Sequence, residues 1–175
     1  FDWTSFYDGG GSEGKSVSKW GSFLSNVWHF DASFFSISPR QANVMDPNAR
    51  LLLECSWEAV SSSGQELVAL QAGRVGVFIG LAGSDYYEAL QKKPLDDGAR
   101  QFVNVSNFES ATAGRISYFF GFSGECLAVD TACSSALVAL ALSCKFLSSD
   151  ENSTAALTGA SGTVLGKEHS INFSK

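Results

Sequence analysis

The chain has 175 residues, of which 45% are hydrophobic and 13% aromatic, and this is enough for one domain-sized core. Its 12 basic and 18 acidic side chains give a net charge of −6 without a clustered basic run, which argues against nucleic acid as the main partner. The sequence has no uninterrupted apolar run long enough to cross a bilayer and no basic, apolar-cored leader, so we expect no membrane span.

Cysteine usage is typical of a reducing compartment. The sequence has no C-x-x-C pair and no histidine at zinc-finger spacing from a cysteine. We therefore expect a cytoplasmic protein without a metal site. The four cysteines are Cys55, Cys126, Cys133 and Cys144.

The chain starts with an aromatic-rich segment around the glycine-rich residues 9–14. Such a segment is a ligand platform or, more commonly, a lid or packing arm, and neither charge nor periodicity decides between them. Its large aromatic residues are Trp3, Phe6, Tyr7, Trp20, Phe23 and Trp28.

Two helix starts follow. Residues 38–41, SPRQ, form a capping box with proline at the first helical position. Asp46 and Pro47 repeat the signal and predict a longer helix that ends near Ser63, with Gly64 as its stop.

The longer helix carries charges beside an apolar stripe. Asp46 with Arg50, and Arg50 with Glu54, have the i,i+4 spacing of surface ion pairs, so we expect a structural and not a catalytic role for them. The predicted buried stripe is Ala49, Leu52, Leu53, Trp57 and Val60.

Further along, residues 74–80 (RVGVFIG) predict a buried strand whose glycines allow close backbone approach. They do not form a G-x-G-x-x-G motif, so a dinucleotide site is not expected. Residues 92–101 predict a polar loop, 108–121 a helix stopped by Gly121, and 155–159 a short strand.

The most informative stretch is 127–147. A short apolar run at 127–129 is followed by Cys133 and then by a near-continuous apolar run at 136–142, which predicts a strand, a turn and a helix buried on most sides. The predicted apolar stripe of this helix is Leu137, Leu140, Ala141, Cys144 and Leu147.

A cysteine at that turn is suited to nucleophilic chemistry. The first N–H groups of a helix lack partners and carry partial positive charge, which stabilises a thiolate and an oxyanion formed beside it. Cys133 could equally be a small buried hydrophobe, and the spacing alone favours neither reading.

Several strings resemble one family. Residues 129–140, VDTACSSALVAL, are similar to the active-site motif of β-ketoacyl synthase domains of type I polyketide synthases and related fatty acid synthases. Residues 30–40 (FDASFFSISPR), 45–54 (MDPNARLLLE) and 113–118 (AGRISY) resemble further blocks of that family. The resemblance implies a thiolase-like layered α/β fold (α-β-α-β-α), of which residues 1–175 form the first half only.

The resemblance also implies an activity. In this family the cysteine, here Cys133, holds the growing acyl chain as a thioester, and a malonyl unit on acyl carrier protein loses carbon dioxide and extends it. No cofactor is bound directly, because the substrates are carried on the phosphopantetheine of the carrier protein. The strand at 126–129 is expected to pair with its copy in a homodimer.

Other readings stay open. The family places its two catalytic histidines and a lysine beyond Lys175, and neither His29 nor His169 matches them. Alternatives are a type I fatty acid synthase ketosynthase, a truncated non-catalytic dimer scaffold, and a cysteine hydrolase or thiolase-type acyltransferase that uses Cys133 with His29 or His169.

Overall fold

A computed structural model describes residues 2–174. The chain divides into two compact units, one made of Phe1–Val27 with Thr163–Lys175 and the other of Trp28–Gly162. The second unit contains the sheet and the 127–147 stretch.

The sheet of the larger unit has three parallel strands. They are β1 (Arg74–Gly80), β2 (Cys126–Val129) and β3 (Ser153–Ala160), in the order β2-β1-β3. Six of the seven residues of β1 are buried, as expected for a central strand covered on both faces. The strands predicted at 74–80, 126–129 and 155–159 are therefore confirmed.

The α-helices in the described part of the chain are α1 (Pro39–Ala42), α2 (Pro47–Ser62), α3 (Leu67–Ala72), α4 (Asp85–Gln91), α5 (Asp97–Asn107), α6 (Glu109–Phe120), α7 (Ser135–Ser149) and α8 (Lys167–Phe173). Two 3-10 turns, Trp3–Ser5 and Ala132–Ser134, accompany them.

The predicted helix starts are confirmed. The Ser38 side chain accepts the N–H of Gln41 at 3.2 Å, and the Asp46 carboxylate accepts the N–H of Asn48 at 2.7 Å. Gly64 follows α2 in the left-handed region at φ +74°, which glycine adopts without strain.

Helices cover both faces of the sheet. Alternate residues of β1 point to opposite faces, so Val75, Val77 and Ile79 share one core and Phe78 faces the other. The first core is completed by α2 and α6, and the second by α7. The larger unit is thus a three-layer α/β structure, in agreement with the predicted fold class.

The predicted surface ion pairs of α2 are wrong. Asp46 and Arg50 are both buried, and Arg50 donates from Nε and Nη2 to the Met45 carbonyl at 2.9 and 2.6 Å. A third donor, Nη1, lies 3.3 Å from the Trp28 carbonyl. The i,i+4 spacing is typical of ion pairs on a helix surface. Arg50 is buried instead, and its guanidinium donates to backbone carbonyls and not to carboxylates.

The predicted apolar stripe of α7 is not buried within residues 2–174. Leu137 is 71% exposed, and Leu140 and Leu147 of the same predicted stripe are exposed as well. The buried face is lined instead by small residues, including Ala139, together with Phe146, and this allows the helix to lie close to the sheet. Apolar composition alone indicated a buried helix but not which of its faces meets the sheet.

The sequence-based prediction missed four helices. These are α3, α4, α5 and α8, all short or polar. The predicted loop at 92–101 runs into α5, because the Asp96 carboxylate accepts the Ala99 N–H at 2.7 Å and caps that helix. The helix predicted at 108–121 is confirmed as α6, with Gly121 at φ +69° as its stop.

The smaller unit holds most of the aromatic-rich segment. Residues 7 and 16 form an isolated parallel bridge, and the Lys19 ammonium lies 5.5 Å from the Tyr7 ring centre and 5.3 Å from that of Trp20. Trp20 is nevertheless 85% exposed. These contacts fit both predictions for this segment, a ligand platform and a lid or packing arm.

One stretch meets the length and composition of a membrane span. It is Ala132–Ser149, which comprises the second 3-10 turn and α7. The core helix of a soluble protein passes the same test, and α7 packs on the sheet through Ala139 and Phe146. The absence of a membrane span therefore remains a prediction.

Candidate active site

Cys133 lies at the turn between strand and helix. The strand β2 ends at Val129, the 3-10 turn covers Ala132–Ser134, and α7 begins at Ser135. The thiol is exposed at this position. The predicted strand–turn–helix placement is confirmed, whereas the alternative of a small buried hydrophobe is not what the structure shows.

The residue before the thiol has an unusual backbone. Ala132 adopts φ +54°, the left-handed region that costs a non-glycine residue about 1 kcal/mol. Its N–H donates to the Asp130 carboxylate at 2.9 Å. Its carbonyl accepts the Ser135 hydroxyl at 2.7 Å, so both of its backbone polar groups are bound by side chains.

The neighbouring polar groups also point into the turn. The Thr131 N–H donates to the Ser135 hydroxyl at 2.9 Å. The Ser134 hydroxyl donates to the Thr131 carbonyl at 2.8 Å and lies 2.9 Å from the Thr131 hydroxyl. These side chains hold the backbone on both sides of Cys133.

The backbone N–H of Cys133 differs from those of the neighbouring residues in its hydrogen bonding. Within residues 2–174 it has no hydrogen-bond acceptor, while the N–H groups of Thr131, Ala132 and Ser134 all have one. This donor belongs to the same residue as an exposed thiol, at the N-terminal end of the 15-residue helix α7. A free N–H and a helix dipole both stabilise negative charge at this point.

Close packing of β1 supports the turn. A Cβ atom on Gly80 would lie 2.7 Å from the carbonyl carbon and oxygen of Ser135 and 2.8 Å from the nitrogen of Ala136. The start of α7 can therefore approach the sheet only because residue 80 has no side chain. Gly80 also pairs in register with Val129, the last residue of β2.

Neither histidine is shown to act as a base for the thiol. His29 is exposed in the larger unit, and no hydrogen bond joins it to Cys133. His169 belongs to α8 of the smaller unit, where its ring stacks on Phe173 with centroids 4.6 Å apart. The described residues of the larger unit thus supply a thiol and a donor, without a hydrogen-bonded base.

The other cysteines occupy different surroundings. Partial desolvation raises the pKa of Cys55, and the carboxylates of Glu58 and Glu54 raise it further. Desolvation also raises the pKa of Cys126, partly offset by a hydrogen bond with Ser117. A higher pKa leaves less thiolate at neutral pH, so these two thiols are poorly suited to act as nucleophiles.

A cavity of about 540 Å³ lies away from this turn. It is open to solvent and is bounded by α1, α4, α5 and the loops beside them, and Cys133 does not line it. Its lining residues are Arg40, Asn43, Val44, Leu90, Lys93, Leu95, Asp96 and Ala99.

Sequence reasoning missed the residues that shape the turn. It identified Cys133 and noted that the glycines of β1 permit close approach, but it assigned no role to Ala132 or Ser135. The only available signal was a serine next to a helix start, which normally indicates capping. The left-handed backbone of an alanine has no signature in the sequence.

Fold and site together define a layered α/β protein with an exposed cysteine on a strand–turn–helix elbow. The family model described as "Beta-ketoacyl synthase, N-terminal domain" matches residues 1–175. The chain belongs to the β-ketoacyl synthase family.

Several similar proteins are polyketide synthases. Polyketide synthase GfsE of Streptomyces halstedii is 46% identical over 151 residues, which are 86% of this chain and 4% of that protein. The pikromycin polyketide synthase component PikAII of Streptomyces venezuelae is 45% identical over 140 residues, which are 80% of this chain and 4% of that protein. The chain therefore spans a small part of the curated relatives that it matches.

Solved structures give the same family. The oxazolomycin ketosynthase domain OzmH KS7 of Streptomyces albus superimposes with a TM-score of 0.85 at 31% identity, covering 99% of this chain and 30% of that one. The ketosynthase from module 6 of the bacillaene synthase of Bacillus subtilis gives 0.81 at 28% identity, covering 98% and 27%. The thiolase-like fold class predicted from the sequence is confirmed.

Proposed function

We propose that this chain is part of a polyketide synthase ketosynthase and that Cys133 holds the growing acyl chain during elongation. Membership of the family and the similarity to polyketide synthases support a condensing enzyme. The observation that carries the assignment of Cys133 is its exposed thiol beside a backbone N–H without an acceptor, at the start of α7.

The proposed reaction has three steps. The Cys133 thiolate attacks an acyl thioester on a carrier protein, forming the acyl-cysteine thioester and releasing the carrier's phosphopantetheine thiolate, which takes up a proton from solvent. A malonyl thioester on a carrier protein then loses carbon dioxide and leaves a carbanion. The carbanion attacks the acyl-cysteine carbonyl and expels the Cys133 thiolate, which yields a β-ketoacyl thioester longer by two carbons.

The unpartnered N–H of Cys133 has a role in two of these steps. Attack on a thioester carbonyl places negative charge on its oxygen, and a preorganised N–H stabilises that charge without having to reorient. Donors of this kind are worth about 3–4 kcal/mol each in enzymes that have been tested by mutation. A base for the thiol and groups for decarboxylation are expected in the remainder of the ketosynthase.

The proposed partners follow from the same chemistry. The acyl and malonyl groups arrive on the phosphopantetheine of acyl carrier protein, so no cofactor has to be bound directly, and the reaction takes place in the cytoplasm. A homodimer is proposed through β2, which lies at an edge of the sheet with Cys126 and Leu127 exposed. An uncovered strand edge is a ready site for pairing with a second chain.

The alternatives are less well supported. A type I fatty acid synthase would share the same chemistry, but the similarity to polyketide synthases at 42–46% identity favours the latter. A non-catalytic dimer scaffold gives no reason for the exposed thiol and its free N–H. A hydrolase that uses His29 lacks a hydrogen bond from that ring to Cys133 in the described part of the larger unit, and nothing observed favours His169 as the base.

The test is turnover by the complete synthase that carries this segment. Cys133→Ala is expected to abolish elongation, whereas Cys144→Ala, an exposed cysteine further along α7, is expected to preserve it. Elongation that survives Cys133→Ala contradicts the proposal. Loss of turnover in His29→Ala, with a matching loss of hydrolysis, favours the hydrolase.

A further inference from the structure

We infer that Ser135 is a positioning residue, whose hydroxyl holds the left-handed turn that presents the Cys133 thiol. The inference rests on the proposed function, because it concerns how the proposed nucleophile is aimed. It extends that function to a side chain that touches neither the thiol nor a substrate. The residues involved are Gly80, Thr131, Ala132 and Ser135.

The hydrogen bonds of Ser135 point in an unusual direction. A serine that caps a helix accepts N–H groups from residues further along the helix. The Ser135 hydroxyl instead reaches back before Cys133, where it accepts from the Thr131 N–H at 2.9 Å and donates to the Ala132 carbonyl at 2.7 Å. One hydroxyl therefore connects the Thr131 N–H and the Ala132 carbonyl, both before the thiol, to the first residue of α7.

One of these bonds is made to the strained residue, and the other to the residue before it. Ala132 at φ +54° is less stable than the same residue in a right-handed conformation by about 1 kcal/mol. A hydrogen bond contributes a net stabilisation of about 0.5–1.5 kcal/mol. The bond to the Ala132 carbonyl is thus comparable in size to the cost of the left-handed conformation, and the bond from the Thr131 N–H fixes the residue before it. Together they set the direction of the next side chain, Cys133.

The position of Ser135 is itself fixed by packing. The residue is buried, and Gly80 of β1 lies so close that a Cβ atom there would stand 2.7 Å from the Ser135 carbonyl. The serine therefore cannot shift toward the sheet. The turn is held between the central strand β1 and the first turn of α7. The Ser135 hydroxyl is therefore fixed in place and is not a mobile surface group.

The test compares two serines of α7 in the complete synthase. Ser143 is buried on the same helix face, and its hydroxyl donates to the Leu140 carbonyl at 2.7 Å, away from the turn. Ser135→Ala is expected to lower the single-turnover rate of Cys133 acylation about tenfold or more, since misplacement of a reacting group by about 1 Å costs up to about 100-fold. Ser143→Ala is expected to leave this rate unchanged.

Further readouts separate positioning from stability. The KM for the acyl thioester is expected to stay the same in Ser135→Ala while kcat falls, and the melting temperatures of the two serine variants are expected to decrease by similar amounts. Equal acylation rates in Ser135→Ala and Ser143→Ala overturn the inference. A fall in rate that merely follows the fraction of folded protein overturns it as well.

A second variant tests the same strain independently, through a double-mutant cycle. Glycine adopts a left-handed backbone without strain, so in Ala132→Gly the Ser135 hydrogen bonds are no longer needed to stabilise that conformation. The rate lost on replacing Ser135 is expected to be smaller in the Ala132→Gly background than in the unmodified chain. Strict additivity overturns the inference. Acylation that persists in Cys133→Ala instead contradicts the proposed function, which keeps the two failures distinct.

Discussion

Gly80 and Ser135 are in backbone contact across the junction of β1 and α7, since a Cβ atom on Gly80 would lie 2.7 Å from the Ser135 carbonyl carbon. The central strand and the start of the helix are therefore fitted to each other at the point where the thiol is presented. This contact, and not the cysteine motif alone, sets the geometry of the candidate site.

The Gly80 contact gives a prediction about stability. Gly80→Ala is expected to lower the free energy of unfolding of the complete ketosynthase domain by roughly 1–3 kcal/mol, because the obstacle is backbone that cannot move aside easily. Urea denaturation measures the change. The matched control is Gly159→Ala in β3, where the new Cβ meets the end of the Leu52 side chain at 3.1 Å. Equal losses in both variants contradict the proposed backbone contact.

A second prediction concerns the buried guanidinium of α2. Arg50→Ala removes the two donors of the Met45 carbonyl, and leaving a buried acceptor unpaired costs about 1–3 kcal/mol. Arg50→Lys is expected to recover only part of this loss, because one ammonium cannot reproduce both bonds. The exposed Arg100→Ala is the control and is expected to change stability by less than about 0.5 kcal/mol. Full recovery by lysine contradicts the assigned geometry.

A third prediction is the pH dependence of thiol alkylation. Iodoacetamide reacts with the thiolate, so a raised pKa reduces the rate at a given pH and moves the rise in rate to higher pH. The raised pKa of Cys55 predicts that its labelling rises at higher pH than that of an ordinary cysteine. Glu58→Gln removes one cause and is expected to speed labelling of Cys55 at mildly alkaline pH, whereas Glu66→Gln serves as the unaffected control. A slower reaction in Glu58→Gln contradicts the stated cause.

A fourth prediction uses the uncovered face of α7. The isolated 175-residue chain is expected to bind a dye that fluoresces on apolar surfaces, to be inactive in condensation and to be only marginally stable. Leu137→Gln is expected to reduce dye binding, since this side chain is 71% exposed. Ala139→Gln on the buried face is expected to increase it by disrupting the packing against the sheet. Cooperative unfolding of a monomer without dye binding contradicts the prediction.

Local signals in the sequence were sufficient for much of the fold. Ser38 and Asp46 start helices because their side chains bind nearby N–H groups, and Gly64 ends one because it accepts a left-handed backbone. The alternation of residues in β1 identified a buried strand. These features depend only on near neighbours along the chain, so a single sequence contains them.

Features that depend on tertiary contacts were missed. The sequence shows that α7 is apolar, but only the sheet decides that Ala139 and not Leu137 is buried. The spacing of Arg50 indicated a surface pair, whereas its partners are carbonyls supplied by the fold. The role inferred for Ser135 depends on the left-handed backbone of Ala132, and an alanine in the sequence does not predict that conformation.

The residue that carries the acyl group can be identified by mass spectrometry. The complete synthase is incubated with an acyl thioester and digested, and its peptides are searched for the added acyl mass. One acyl adduct is expected, on Cys133, and it is expected to be absent in Cys133→Ala. An adduct on Cys55, Cys126 or Cys144 in preference to Cys133, or labelling that survives Cys133→Ala, would contradict the role proposed for this thiol.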